Sequence, residues 1–92
     1  MQQLIIRHPV YWCTVAEYTE EWGACPNGYL IADTREAIEQ KIAELGKYGN
    51  PMEYTLFGDV WMGVIKEDVA RRVKASEEKC IWIMLPETPF LQ

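Results

Sequence analysis

The sequence holds one histidine, His8, and one serine, Ser76. Covalent catalysis needs a nucleophile beside a base, and this inventory leaves almost nothing to build the pair from. Cys13 stands five positions from His8 with Pro9 between them, a spacing that gives the two side chains no fixed reason to meet. The cysteines Cys13, Cys25 and Cys80 are odd in number and form no Cys-x-x-Cys pair. That argues against a disulfide framework and a zinc site, and for reduced thiols. The six glycines fall singly, so no glycine-rich phosphate loop is present. Long apolar runs are also missing: residues 80–85 have strand length, far short of the ~20 residues that span a bilayer. No catalytic residue, metal or cofactor is expected.

Basic residues are scarce as well. Nine Lys and Arg stand against fourteen Asp and Glu, for a net charge of −5, which disfavours non-specific nucleic-acid binding driven by counterion release. The nearest basic cluster, Arg71, Arg72 and Lys74, is offset by Glu67, Asp68, Glu77 and Glu78 and reads as a charge-paired helix surface. What the chain does have is apolar content, 49% hydrophobic against 25% charged residues. That composition excludes disorder, and 92 residues suffice for one core, so residues 1–92 are read as a single domain. The first residues carry no charged segment followed by a long apolar stretch and a small-residue cleavage site, which predicts a cytoplasmic protein.

Along the chain, residues 4–6 read as a short edge strand closed by Pro9. Residues 10–18 are β-branched and aromatic on both alternating faces, the pattern of a strand covered on both sides. Residues 19–28, with Pro26, Asn27 and Gly28, read as an exposed loop, after which residues 29–32 resume as a strand. Asp33 followed by Glu36 resembles a capping box, so a helix is predicted over residues 34–45 with Ile38, Ile42 and Leu45 on one face. Gly58 and Asp59 separate two β-rich runs, residues 52–57 and 60–65, as a hairpin would. A helical alternative for residues 59–64 would remove that hairpin. Residues 66–76 read as a second helix, with Glu67 before Arg71 and Asp68 before Arg72 at i, i+4 spacing. Residues 80–85 close as an interior strand. The expected fold is α+β: a ferredoxin-like βαββαβ core over about residues 28–85, preceded by two extra N-terminal strands, with a mostly antiparallel sheet and both helices on one face.

The feature that stands above this background is where charge and rings fall together. Between Val10 and Gly46 seven acids (Glu17, Glu20, Glu21, Asp33, Glu36, Glu39 and Glu44) face only Arg35 and Lys41. The same stretch holds Tyr11, Trp12, Tyr18, Trp22 and Tyr29, more rings than the inside of one small sheet needs. Aromatic anchors ringed by acids are what a surface that grips a basic protein shows. Glu17, Tyr18, Glu20, Glu21, Trp22, Glu36 and Glu39 are therefore the candidate partner-binding residues. The competing structural reading places Trp12 and Tyr18 in the core and leaves the acids as a solvated face.

In size, charge and order of elements the whole chain resembles the small acidic α+β proteins that phages and mobile elements use against bacterial defences, anti-CRISPR proteins among them. The resemblance implies a non-catalytic inhibitor that binds the positively charged nucleic-acid channel of an effector complex. It carries no motif, so it transfers no residue, and a charge of −5 favours a local acidic and aromatic patch over wholesale nucleic-acid mimicry. Two other expectations stand beside it. A dimeric α+β barrel would enclose a small ligand or substrate between walls of Tyr54, Trp61, Trp82 and Met84. An antitoxin-like regulatory partner is suggested by the strand-to-helix passage over residues 28–38. The chain is expected to be a monomer or a homodimer, with a protein partner and no direct contact to nucleic acid or membrane.

Overall fold

In the computed structural model, residues 9–91 are described. The expected strand at residues 4–6 and the side chain of His8 lie outside them. The chain opens with a long hairpin of β1 (Pro9–Thr19) and β2 (Gly23–Ala32), paired antiparallel from Tyr11↔Ala32 to Thr19↔Gly23. Only Glu20, Glu21 and Trp22 form the turn, and it closes through Gly23, whose φ of 74° a side chain would resist. The exposed loop expected over residues 19–28 is therefore mostly strand. Pro26 does not end it, because the register shifts there: Val15 opposes Gly28, Ala16 opposes Pro26, and Asn27 becomes the extra residue of a β-bulge. The N–H that Pro26 lacks would have faced a side of β2 that no strand reaches.

α1 (Arg35–Gly46) starts one residue later than expected. Thr34, not Asp33, is its N-cap, with Thr34 Oγ1 accepting from Ala37 N–H at 3.1 Å. β3 (Glu53–Phe57) and β4 (Trp61–Val64) follow, and they do not form a hairpin. Both run antiparallel to β1 along one edge, β3 opposite Val15–Thr19 and β4 opposite Pro9–Trp12. The Gly58-Asp59 spacer lets the strand jog past Thr14 instead of reversing. Gly58 N–H donates to the Thr14 carbonyl at 2.9 Å, and a Cβ on Gly58 would collide with Thr14 Oγ1. α2 (Glu67–Ala75) leads to β5 (Cys80–Met84), which pairs antiparallel with β2. The sheet order is β3-β1-β2-β5, with β4 beside β1. Without the hairpin the ferredoxin-like order does not form, and what stands is an α+β fold with an open, all-antiparallel sheet and two helices.

The helices also take opposite faces, where one shared face was expected. α1 covers Cys13, Val15, Leu30, Ala32 and Cys80 with Ile38 and Ile42. α2 covers Val10, Ile31 and Ile83 with Val69, Ala70 and Val73, helped by Phe90 from the last segment. The physical reason lies in β1, β2 and β5, which are apolar at successive positions and so need cover on both sides. Phe90 meets Trp12 and Tyr29 edge-on, at 4.8 and 5.1 Å between ring centres. Of the two predicted helical ion pairs, Glu67 with Arg71 forms at 3.6 Å, whereas Arg72 turns to Glu87 at 2.7 Å. Among the described residues no helix is long and apolar enough to cross a membrane.

Candidate partner-binding surface

The β1–β2 turn projects beyond β5 and, among the described residues, is braced by the segment that leads into β3. Glu20 N–H donates to the Met52 carbonyl at 2.9 Å, and Asn50 Oδ1 accepts from the N–H groups of both Met52 and Glu53 at 2.9 and 3.0 Å. These bonds fix the turn against the start of β3, although the local sequence is polar and short of core residues. Thr19, Glu20, Glu21, Trp22, Asn50, Met52 and Glu53 then line a concavity of about 500 Å³. Trp22 is 76% exposed on its rim, and Met52 is 61% exposed. Thr19 Oγ1 accepts from Trp22 N–H at 3.1 Å, which holds the indole's backbone in place while its ring stays in solvent.

Strand alternation sorts the rest of this end. Glu17 lies on the α1 side of the sheet, where Thr55 Oγ1 donates to its carboxylate at 3.2 Å. Tyr18 lies on the other side, stacked on Tyr54 with ring centres 4.6 Å apart. Tyr48, 81% exposed, stands with Tyr18, Tyr54 and Glu17 around a second recess of about 280 Å³. Charge is distributed unevenly. The ion pairs among the described residues, Arg35–Glu39, Lys41–Glu44, Lys41–Glu78, Arg71–Glu67 and Arg72–Glu87, all involve a helix. Within the described residues, none involves Glu17, Glu20, Glu21 or Glu53.

Of the seven residues singled out in the sequence, five thus come together: Glu17, Tyr18, Glu20, Glu21 and Trp22. Glu36 and Glu39 do not join them. They lie in the first half of α1, at the end of the sheet where Tyr11 pairs with Ala32, and Glu39 is engaged by Arg35 at 3.5 Å. The Arg35 guanidinium in turn sits 5.5 Å from the centre of the Tyr11 ring. Tyr48, Met52, Glu53 and Tyr54 complete the surface and were missed in the sequence, because they reach it only through the pairing of β3 with β1.

The remaining chemistry is structural. Cys13 and Cys80 are buried, and burial pushes each thiol up to about 11. Neither is a nucleophile at neutral pH, whereas Cys25 is exposed on β2 opposite Glu17. Lys41 reaches Glu78 at 2.5 Å and Glu44 at 3.7 Å; the hydrogen bond to Glu78 is the main cause that raises its pKa and keeps it charged. Among the described residues no three His, Cys, Asp or Glu side chains converge as metal ligands. Tyr54 and Trp61 of the expected barrel lie along β3 and β4 at one edge, and Trp82 and Met84 lie on β5 at the other, so the four do not line one pocket. No family model, no curated protein and no solved structure matches the chain.

Proposed function

We propose that the chain is a non-catalytic protein-binding inhibitor of the anti-CRISPR kind. In this reading it acts in the cytoplasm of a host cell, where its turn end occupies a basic, nucleic-acid-binding surface of a bacterial defence effector. The observation that carries the reading is the segregation of charge. Arg35, Lys41, Arg71 and Arg72, all on the helices, each pair with an acid, while Glu17, Glu20, Glu21 and Glu53 gather near Trp22, Tyr48 and Met52 with no ion pair among the described residues. Carboxylates so placed steer a basic partner into register, and exposed rings at the centre supply the contact that survives once water is expelled. An arginine or lysine that normally holds phosphate would instead meet a glutamate.

The barrel reading has less support in this fold, because both faces of the sheet carry a helix and its proposed walls lie at two different edges. The test compares the tagged chain with its Glu20→Lys, Glu21→Lys form as bait in a bacterial lysate carrying active defence systems. The expected result is a nucleic-acid-binding protein retained at low salt by the first bait, weakened at high salt and absent from the second. Equal retention by both baits would remove the turn from the interface.

A further inference from the structure

β5 is an edge strand, and its side away from β2 is bare among the described residues. At the two ends of its ladder Asp33 N–H donates to the Lys79 carbonyl at 3.1 Å and Leu85 N–H donates to the Asn27 carbonyl at 2.8 Å. Bonding direction alternates along an antiparallel strand, so Ile81 and Ile83 also bond to β2, whereas Cys80, Trp82 and Met84 point their backbone groups outward. The outer carbonyls at either end already have a partner. Cys80 accepts from Ser76 Oγ at 3.1 Å, and Met84 accepts from Glu87 N–H at 3.2 Å. Between them, the N–H and carbonyl of Trp82 have no partner among the described residues.

We propose that this edge pairs with the same edge of a second copy of the chain, β5 against β5 about a two-fold axis through Trp82. A bare strand edge is a ready template for another extended chain, whose backbone can pair with it. Three features make that chain β5 itself. A register centred on Trp82 exchanges two bonds between the two Trp82 backbones and sets Ile81 opposite Ile83 and Cys80 opposite Met84. Every cross-strand pair is then apolar, and Met84, 60% exposed in the single chain, gains cover. β5 carries no charged side chain, whereas the opposite edge begins at Glu53 beside the acidic turn and would bring carboxylates together. Antiparallel pairing also sends the two acidic turns to opposite ends of one continuous sheet, so chains of charge −5 meet along their neutral edges.

The inference is independent of the binding role given to the turn. Sedimentation equilibrium of the full chain, from low to several hundred micromolar, is the test, with amide exchange followed at both extremes. The expected result is a shift from 10.7 kDa to twice that mass, with exchange at the Trp82 amide slowed roughly tenfold or more in the concentrated sample. Met84→Pro removes an N–H that only the second copy would use, and Met84→Lys places a charge at the contact without touching the ladder to β2. Both variants are expected to stay at 10.7 kDa with the circular dichroism of the parent. Met84→Lys alone decides the matter if the proline variant does not fold. A parent that stays monomeric throughout, or a dimer that survives either folded substitution, would overturn the proposal. So would a Trp82 amide already protected in the dilute chain, which would put another part of the same chain on the edge.

Discussion

The ring of Tyr18 on β1 lies on the ring of Tyr54 on β3, centres 4.6 Å apart and planes 28° from parallel. That stack and the Glu20–Met52 backbone bond hold the projecting turn to the sheet. Offset aromatic pairs contribute about 0.5–1.5 kcal/mol beyond their buried area. Tyr54→Ala is therefore expected to lower stability by about 1–2 kcal/mol in urea and to weaken partner capture by loosening the turn. Tyr54→Phe keeps the ring and is expected to change neither, since no hydrogen bond from the hydroxyl is described.

Charge reversal at the turn separates binding from folding. Glu20 and Glu21 are exposed and without a described ion pair. Their replacement by lysine is expected to move the unfolding free energy by no more than about 0.5 kcal/mol, as exposed substitutions usually do. A urea midpoint that falls far more than this would show the two carboxylates to be structural.

The thiols divide two to one. A disulfide reagent at neutral pH is expected to modify Cys25 alone in the folded chain and all three cysteines in denaturant, because Cys13 and Cys80 are shielded in the sheet. Rapid reaction of more than one thiol without denaturant would contradict the burial of this layer.

Alkali should unfold the protein through the same two thiols. Each has a folded pKa of about 11 against an ordinary value of 9.0, so the folded state keeps protons that the unfolded chain gives up. Stability from this source is complete below about pH 9 and lost progressively as pH rises to 11. The loss amounts to about 2–3 kcal/mol per thiol. Lys41, whose pKa Glu78 raises, acts in the same direction: its contribution is present below its ordinary value of 10.5 and disappears as pH climbs through the folded one. Urea midpoints at pH 7 and pH 10.5 check this, and Cys13→Ala is expected to shrink the difference while Cys80 and Lys41 keep the remainder.

Gly58 carries the passage from β3 to β4. Gly58→Ala would drive a methyl into Thr14 Oγ1 and break the approach that lets Gly58 N–H reach the Thr14 carbonyl. A loss of about 1–3 kcal/mol is expected, in the range of other overpacked sites. An unchanged midpoint would mean that the strand can jog elsewhere.

Element types were legible in the sequence wherever one period dominated. β-branched and aromatic runs marked β1 and β5, and helical spacing marked α1 and α2 within a residue or so of their ends. Pairing was not legible, because Gly58-Asp59 fits a tight turn as well as a jog, and only the position of Thr14 on the neighbouring strand distinguishes the two. Pro26 misled for a similar reason: proline excludes a central bonding position, but at a bulge facing an open side it costs nothing. The two-sided apolar pattern of β1 did foretell cover on both faces, and assigning both helices to one face ignored it. The clustering of Glu17, Tyr18, Glu20, Glu21 and Trp22 was legible because hairpin neighbours in sequence are neighbours in space. Tyr48, Met52, Glu53 and Tyr54 could not be found without the register of β3 on β1.

If the turn occupies a nucleic-acid-binding surface, the chain and a nucleic acid must exclude one another on the captured effector. A fluorescent nucleic acid bound to that effector, titrated with the chain while anisotropy is followed, measures the competition. Complete displacement is expected, with the midpoint moving to higher concentration as salt is added and no displacement by the Glu20→Lys, Glu21→Lys form. A ternary complex, with the chain bound while the nucleic acid stays in place, would contradict the assignment of the acidic turn to that surface.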